Sequence, residues 1–475
     1  MGYLGWAIIE FVADVGGVEW LPAPVASLIN PPPPRLPAIK EIVPQTHALP
    51  PATAGLLLEP SDQPAWRHPA AGRLASSQPL TLSQTIALPR AVRWQRPLIG
   101  QGTGTPLIVG ENIFLTGSDA DRRLWLWAVN STNEDPLWQV ELAQGDFPTR
   151  HAKTSDAAST PCSDGRRIYV AWAAEVKAFI AAFSTTGDRI WKTELGPFAA
   201  MHGFASSPAL SHGLVLLNVD NGPQSFMVAV QAATGEILWR RRRPASGDGS
   251  YSSPIVFEQP NTTDSAQPAT PATIVSGLEA IECRRLADGE LLWQAGGIAS
   301  VSAITPLIAD GICLAGSGFP ERVLLALKLD EFDEPEISET AGRVVATGPT
   351  PKLLWRETKS SEVPYVPSPV VKEGRLFLVH DDGLAHCRDL TTGNVLWKRR
   401  VGGSFTASPI LIGNTMLCVS ETGACSLLAL KDGEILQRFQ LPGGCFATPR
   451  LLADSLLFRT TENLMCIRLP VASVE

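Results

Sequence analysis

The chain has 475 residues and a formal charge of −8, with acidic and basic side chains mixed along its length. That mixture excludes the broad basic field that nucleic acid requires, and no run approaches the roughly 18–20 apolar residues of a membrane span. Length alone suggests about three domains, but that prior fails for repeat architectures that close on themselves.

Residues 1–84 differ from the rest. Pro31 to Pro34 are consecutive, and further prolines stand at 37, 44, 50, 51, 60, 64, 69 and 79. Proline removes a backbone donor and fixes φ, so this segment is expected to be a Pro-rich, largely irregular leader, separate from a domain over 85–475. Tyr3 to Ile9 is apolar, but Glu10 and Asp14 interrupt it and no Lys or Arg precedes it. It does not match a signal peptide. On that ground the protein stays inside the cell or the true start lies elsewhere.

From Gly100 onward a small hydroxyl residue before proline recurs at the head of eight units: Thr105, Thr160, Ser207, Ser253, Thr305, Ser368, Ser408 and Thr448. Proline is tolerated at the first residue of a strand because its amide need not enter the ladder. Each marker therefore opens a unit, and in each unit β-rich runs alternate with Gly, Asp and Asn turns. In the sixth unit these are Pro369-Val370-Val371, Arg375 to Val379, Gly383 to Cys387 and Asn394 to Trp397. That pattern predicts a four-stranded antiparallel meander.

The last unit is short of one strand, while Ala91-Val92-Arg93-Trp94-Gln95 is a spare strand before the first opening. Joining the two predicts an all-β, eight-bladed β-propeller closed by its N-terminal strand, which also covers open sheet edges. Gly100 to Gly104 and Asp381-Asp382-Gly383 are expected to be turns. Residues 259–273 and 329–352 are expected to be insertions. Arg240 to Arg243 and Lys398 to Arg400 are expected to be solvated faces.

A turn glycine followed four residues later by tryptophan recurs at Gly187/Trp191, Gly235/Trp239, Gly289/Trp293 and Gly393/Trp397. Gly433 repeats the turn with Gln437 in place of the aromatic, and Trp138 and Trp355 follow longer turns. A period of roughly 40–60 residues marks one supersecondary unit copied many times. The phrase Ala233-Thr234-Gly235-Glu236-Ile237-Leu238-Trp239 resembles the pyrroloquinoline-quinone-type propeller repeat. That family holds quinoprotein alcohol dehydrogenases and the non-enzymatic propeller lipoprotein of outer-membrane β-barrel assembly. The resemblance covers about 91–470. It implies blade-docking roles for Trp94, Trp138, Trp191, Trp239, Trp293, Trp355 and Trp397, and a weakest seam at Gln437.

The same resemblance implies a non-catalytic binding or assembly scaffold, with protein partners, at the cell envelope or periplasm and with no cofactor. The alternative is a dehydrogenase of alcohols or sugars that uses pyrroloquinoline quinone and calcium. Those enzymes carry adjacent paired cysteines, and the eight cysteines here include no Cys-Cys and no CxxC. A structural zinc site is not indicated, and disulfides stay open if the chain is exported. No catalytic residue and no metal ligand set is assigned. Loops that enter each blade carry His151, Asp156, Ser159, His202, Phe204, Ser206, Tyr251, Ser252 and Phe405. These are ligand or peptide candidates at the channel mouth. On the other reading, the hydroxyls cap strand starts and the histidines are solvated.

Overall fold

The computed structural model describes residues 90–469 except 201, 245–248, 261–267, 334–336, 341–342, 347–348 and 453, together with 37–43 and Leu49. The expectation for residues 1–84 otherwise lies outside the described residues, as does the middle of the 259–273 insertion. Eight four-stranded antiparallel sheets follow one another along the chain. Blades 1 to 7 span 107–144, 162–197, 209–242, 255–295, 307–357, 370–400 and 410–440. Blade 8 consists of Arg450–Leu452, Ser455–Arg459 and Asn463–Arg468, and its outer strand is Val92–Pro97. The fold is thus an eight-bladed propeller closed by its N-terminal strand. Blade 5 carries the second insertion as an extra hairpin, Ile337–Thr340 paired with Arg343–Ala346.

A sheet with two apolar faces must cover both, so the core of this molecule lies between blades. The buried apolar side chains fall into eight clusters, and each draws on two consecutive blades. Tyr169 and Phe226 meet at the seam of blades 2 and 3; Trp94, Ile113 and Leu457 meet where blade 8 returns to blade 1. Near the centre the hydroxyl of six of the Ser/Thr-Pro markers accepts the amide N–H of the preceding blade's marker. Thr105 N donates to Thr160 Oγ1 at 3.0 Å, Thr160 N to Ser207 Oγ at 2.9 Å and Ser207 N to Ser253 Oγ at 2.9 Å. The pattern continues from Thr305 to Ser368, Ser368 to Ser408 and Ser408 to Thr448. These residues do more than cap their own strands, because each one links two sheets.

At the rim the tryptophans perform the corresponding task. Six of the seven repeat indoles donate their N–H to a backbone carbonyl of the next blade: Trp94 to Ser131, Trp138 to Thr185, Trp191 to Ala232, Trp239 to Leu286, Trp355 to Leu390 and Trp397 to Leu430, at 2.8–3.1 Å. Blade 5 has a lengthened turn, and there the bond is relayed. Trp293 donates to Gln259 Oε1 at 3.0 Å, and Gln259 Nε2 donates to Leu329 O at 3.1 Å. The cross-strand partner of every such indole is small: Cys466, Ala128, Ala182, Ala229, Cys283, Ala326 and Cys387. Opposite Gln437 that partner becomes Leu427, a larger side chain facing a smaller one. Three of the cysteines thus occupy an alanine position of the repeat.

The turn glycine receives the indole face of the preceding blade. A Cβ on Gly393 would stand 2.6 Å from Trp355 Cδ2, and one on Gly235 would stand 2.6 Å from Trp191 Cδ2. The glycine is therefore required for space as well as for its positive φ. Gly110 has φ +57 with nothing within 4 Å of a built Cβ, so it isolates the backbone effect. Gly110→Ala is expected to cost about 1 kcal/mol, and Gly393→Ala about 2 kcal/mol more through overpacking. Equal losses in urea titration would dismiss the indole contact. Removing residues 85–98 is expected to abolish a cooperative melt, whereas removing 1–84 retains one; scanning calorimetry distinguishes the two.

Candidate functional site

The loops that lead from the outer strand of one blade to the first strand of the next gather on one face. His151, His202 and Tyr251 come from three successive loops. Their rings form a row, with centroids 6.1 Å apart for His151 and His202 and 6.0 Å apart for His202 and Tyr251. All three are partly exposed. Asp156 accepts from Arg150 Nε at 3.2 Å and from Ser118 Oγ at 3.3 Å. The other candidates lie deeper. Phe204 packs edge-on against Phe198 at 5.2 Å, and Phe405 lies in the core between blades 6 and 7. Ser159, Ser206 and Ser252 are buried, and Ser159 Oγ has no hydrogen-bond partner among the described residues.

Loop 145–161 crosses this face. Thr103 N donates to Ser155 Oγ at 2.9 Å and Gly104 N to Ala157 O at 2.9 Å, which anchors the loop beside blade 1. Gly203 in the next loop leaves room for Arg150 Cβ, 3.2 Å from where its own Cβ would be. On the other side Lys153 Nζ reaches Glu421 Oε1 of blade 7 at 2.9 Å, and Thr406 Oγ1 donates to the same oxygen at 2.8 Å. Blade 7 adjoins neither blade 1 nor blade 2, so the loop spans the mouth. Between the loop and blade 1 is a cavity of about 790 Å³, lined by Gln101, Asp119, Arg122, Phe147, Arg150 and Asp156 among others. Sequence reasoning singled out neither Lys153 nor Glu421 nor Arg150. The readable signal was the long interval between Gln144 and Cys162.

The strongly perturbed titratable groups lie at seams. Ser206 Oγ donates to Asn218 Oδ1 at 2.7 Å and Asn218 Nδ2 to Asp220 Oδ2 at 3.0 Å. Asp220 pairs with Arg243 at 2.9 Å, and Arg243 with Glu282 at 3.1 Å, all fully buried or nearly so. Burial pushes the Asp220 carboxyl up to about 6 despite the arginine. Burial alone would also raise Glu362, but Lys359, Lys398 and Arg388 bring it down to about 2. His386 is wholly buried with neither ring nitrogen partnered among the described residues. Burial, then the Arg388 charge, pushes it down to about 3.

Repeat, blade and closure together define a PQQ-like β-propeller. The chain belongs to the family described as outer membrane protein assembly factor BamB, whose model matches residues 125–296 and 340–456. It is 22% identical over 349 residues to the tetrathionate hydrolase of Acidithiobacillus ferrooxidans, covering 68% of this chain and 64% of that protein. It is 24% identical over 292 residues to outer membrane protein assembly factor BamB of Nitrosomonas eutropha, covering 60% and 59%. The chain thus spans about three fifths of the length of these two relatives. The crystal structure of BamB from Moraxella catarrhalis shares the fold, with a TM-score of 0.53 at 13% identity over 82% of this chain and 99% of that one.

The described residues contain no group of three or more His, Cys, Asp or Glu placed to hold a metal ion. The eight cysteines are free and buried, with no adjacent pair among them. No described helix is long and apolar enough to cross a membrane.

A histidine held neutral makes stability depend on acid. Below pH about 6.5 the unfolded chain binds a proton at His386 that the folded chain refuses, so stability is complete above that pH and declines toward pH 3 by about 1.4 kcal/mol per unit. His386→Leu is expected to flatten that component in urea titrations between pH 6.5 and 4. An unchanged slope would show that His386 is not the residue responsible.

Proposed function

We propose that the protein is a non-catalytic binding and assembly scaffold of the cell envelope, and that its partners are proteins received on the loop face. Membership of the family described as outer membrane protein assembly factor BamB carries this reading. The loop face supports it: His151, His202 and Tyr251 present a row of partly exposed rings with polar edges, and tyrosine is among the side chains enriched at binding hot spots. Loop 145–161, pinned by the Lys153–Glu421 pair, holds that row on a framed surface. Against the quinoprotein alternative stands the sequence itself, whose eight cysteines include no adjacent pair. The buried Ser159, Ser206, Ser252, Phe204 and Phe405 act here as support beneath the loops.

Immobilised full-length protein is expected to capture a defined envelope protein. His202→Ala with Tyr251→Ala should weaken that capture about tenfold, equivalent to about 1.4 kcal/mol, with little change in melting temperature. Undiminished capture by the double variant would remove the loop face from the interaction. Added pyrroloquinoline quinone and calcium should give no saturable binding, and stoichiometric binding would overturn the scaffold reading.

A further inference from the structure

The outer strand of a propeller blade exposes one row of backbone donors and acceptors to solvent, a template for a further strand. Among the described residues only blade 3 has that row paired by backbone–backbone hydrogen bonds from outside its own sheet; at blade 4, Gln294 O accepts a side-chain bond from Thr350 Oγ1 at 3.4 Å. Ile42 N donates to Arg240 O, and Arg240 N to Ile42 O, both at 3.0 Å. Around this pair residues 37–43 are held by side chains. Ile39 is 4% exposed and enters the cluster between blades 2 and 3, beside Leu195, Phe198 and Phe226. A Cβ on Gly196 would stand 3.5 Å from Ile39 Cδ1, an ordinary contact distance, so Ile39 packs directly over this glycine. Ile39 N donates to Gln224 Oε1 at 3.0 Å, Arg242 Nη2 to Ile39 O at 2.8 Å, and Arg242 N to Glu41 Oε1 at 3.0 Å.

The run Arg240 to Arg243, expected to be a solvated face, is therefore used throughout. Arg241 Nε donates to Asp288 O of blade 4 and Arg243 is buried against Asp220 and Glu282. Arg240 and Arg242 face the extended segment, and Arg240 also lies over the Phe226 ring at 5.4 Å. One donor there is unused: the buried Nε of Arg240 has no hydrogen-bond partner among the described residues. Residues 37–43 thus fill the pocket and pair the edge without giving that Nε an acceptor. Leu238, one residue before Trp239, is partly covered with Leu49 in the blade 3–4 cluster, whereas the corresponding Ile190 and Leu396 are 47% and 52% exposed.

We propose that the outer edge of blade 3 is a docking site for an extended peptide of a partner protein, and that residues 37–43 occupy it as a built-in competitor. The ligand is defined by the segment it replaces. A branched apolar residue fills the Ile39 pocket, a carboxylate two positions on caps Arg242 N, and a second apolar residue pairs with Arg240. Binding of this kind takes affinity from main-chain bonds and specificity from the pocket. A partner that supplies one more acceptor, to Arg240 Nε, gains a bond the chain's own segment lacks. The proposal deepens the scaffold reading and rests on it for the partner being a protein.

The test titrates a fluorescent synthetic peptide of residues 37–43 into three full-length proteins: wild type, Ile42→Pro and Ile39→Asp. Ile42→Pro removes one edge hydrogen bond; Ile39→Asp places a charge in the pocket. A cooperative melt confirms that each variant is folded, and Ile42→Pro, at a half-exposed position, carries the test if Ile39→Asp does not fold. Both variants are expected to bind the peptide one to one, about tenfold or more tighter than wild type, since masking lowers apparent affinity by the open fraction. An Ile39→Asp peptide should not bind. Absence of binding to the folded variants, equal affinity for wild type, or a wild-type dimer that exchanges the segment between copies would each overturn the proposal. The titration reads the blade edge alone, so failed capture of an envelope protein with a positive titration would remove the scaffold reading and leave the docking site.

Discussion

The contact on which the ring depends is an indole laid on the turn glycine of the next blade, with its N–H bonded to a carbonyl beside that turn. Neither group does this work alone. Burial of the ring contributes on the order of 2–3 kcal/mol per seam through area removed from water, but area has no direction. The hydrogen bond fixes where the next sheet stands, and the missing Cβ sets how close it comes. The alanine or cysteine opposite each indole allows the ring to lie flat. Nearer the axis the Ser/Thr-Pro hydroxyls repeat the same logic with a smaller group, so the seams are joined at both radii.

Deviations from the repeat show how the constraint is satisfied when the sequence cannot supply it directly. Blade 5 begins its outer strand after an insertion, and Gln259 then carries the bond from Trp293 to Leu329. At blade 7 the pair of large and small side chains is inverted, Gln437 facing Leu427. The closing seam joins chain segments far apart in sequence. There Arg459 donates to Gly104 O and Thr116 O of blade 1, and Gly102 has no side chain where the guanidinium passes. Buried donors of this kind are costly unless bonded, which gives the closing register a penalty for error.

A rigid ring of this sort frees two kinds of surface for recognition. One is the loop face, where three ring side chains from consecutive blades stand in line and a long loop is pinned across the mouth. The other is the rim, where outer strands present unpaired backbone. The two differ in what they can read. Loops read side-chain shape and polarity, while an edge reads extended backbone first and side chains only at alternate positions. The buried Asp220–Arg243–Glu282 series links the loop that carries Ser206, through Asn218, to the end of the arginine run.

The architecture was legible in the chain because it is written locally and many times: a hydroxyl before proline opens each unit, and a glycine four residues before tryptophan ends it. Even the closing strand could be read, since one unit lacked a strand and another segment had one to spare. The mouth was legible only in part. His151, His202 and Tyr251 could be named from their loops, but nothing in their spacing distinguishes them from Phe204 or Ser252, which lie buried. Lys153 with Glu421, Gln259 between Trp293 and Leu329, and Ile39 in the pocket beside Gly196 join residues far apart in sequence. Those pairings depend on how eight sheets are rotated about one axis, a relation that local propensity and periodicity do not encode. Only the folded ring brings those groups together.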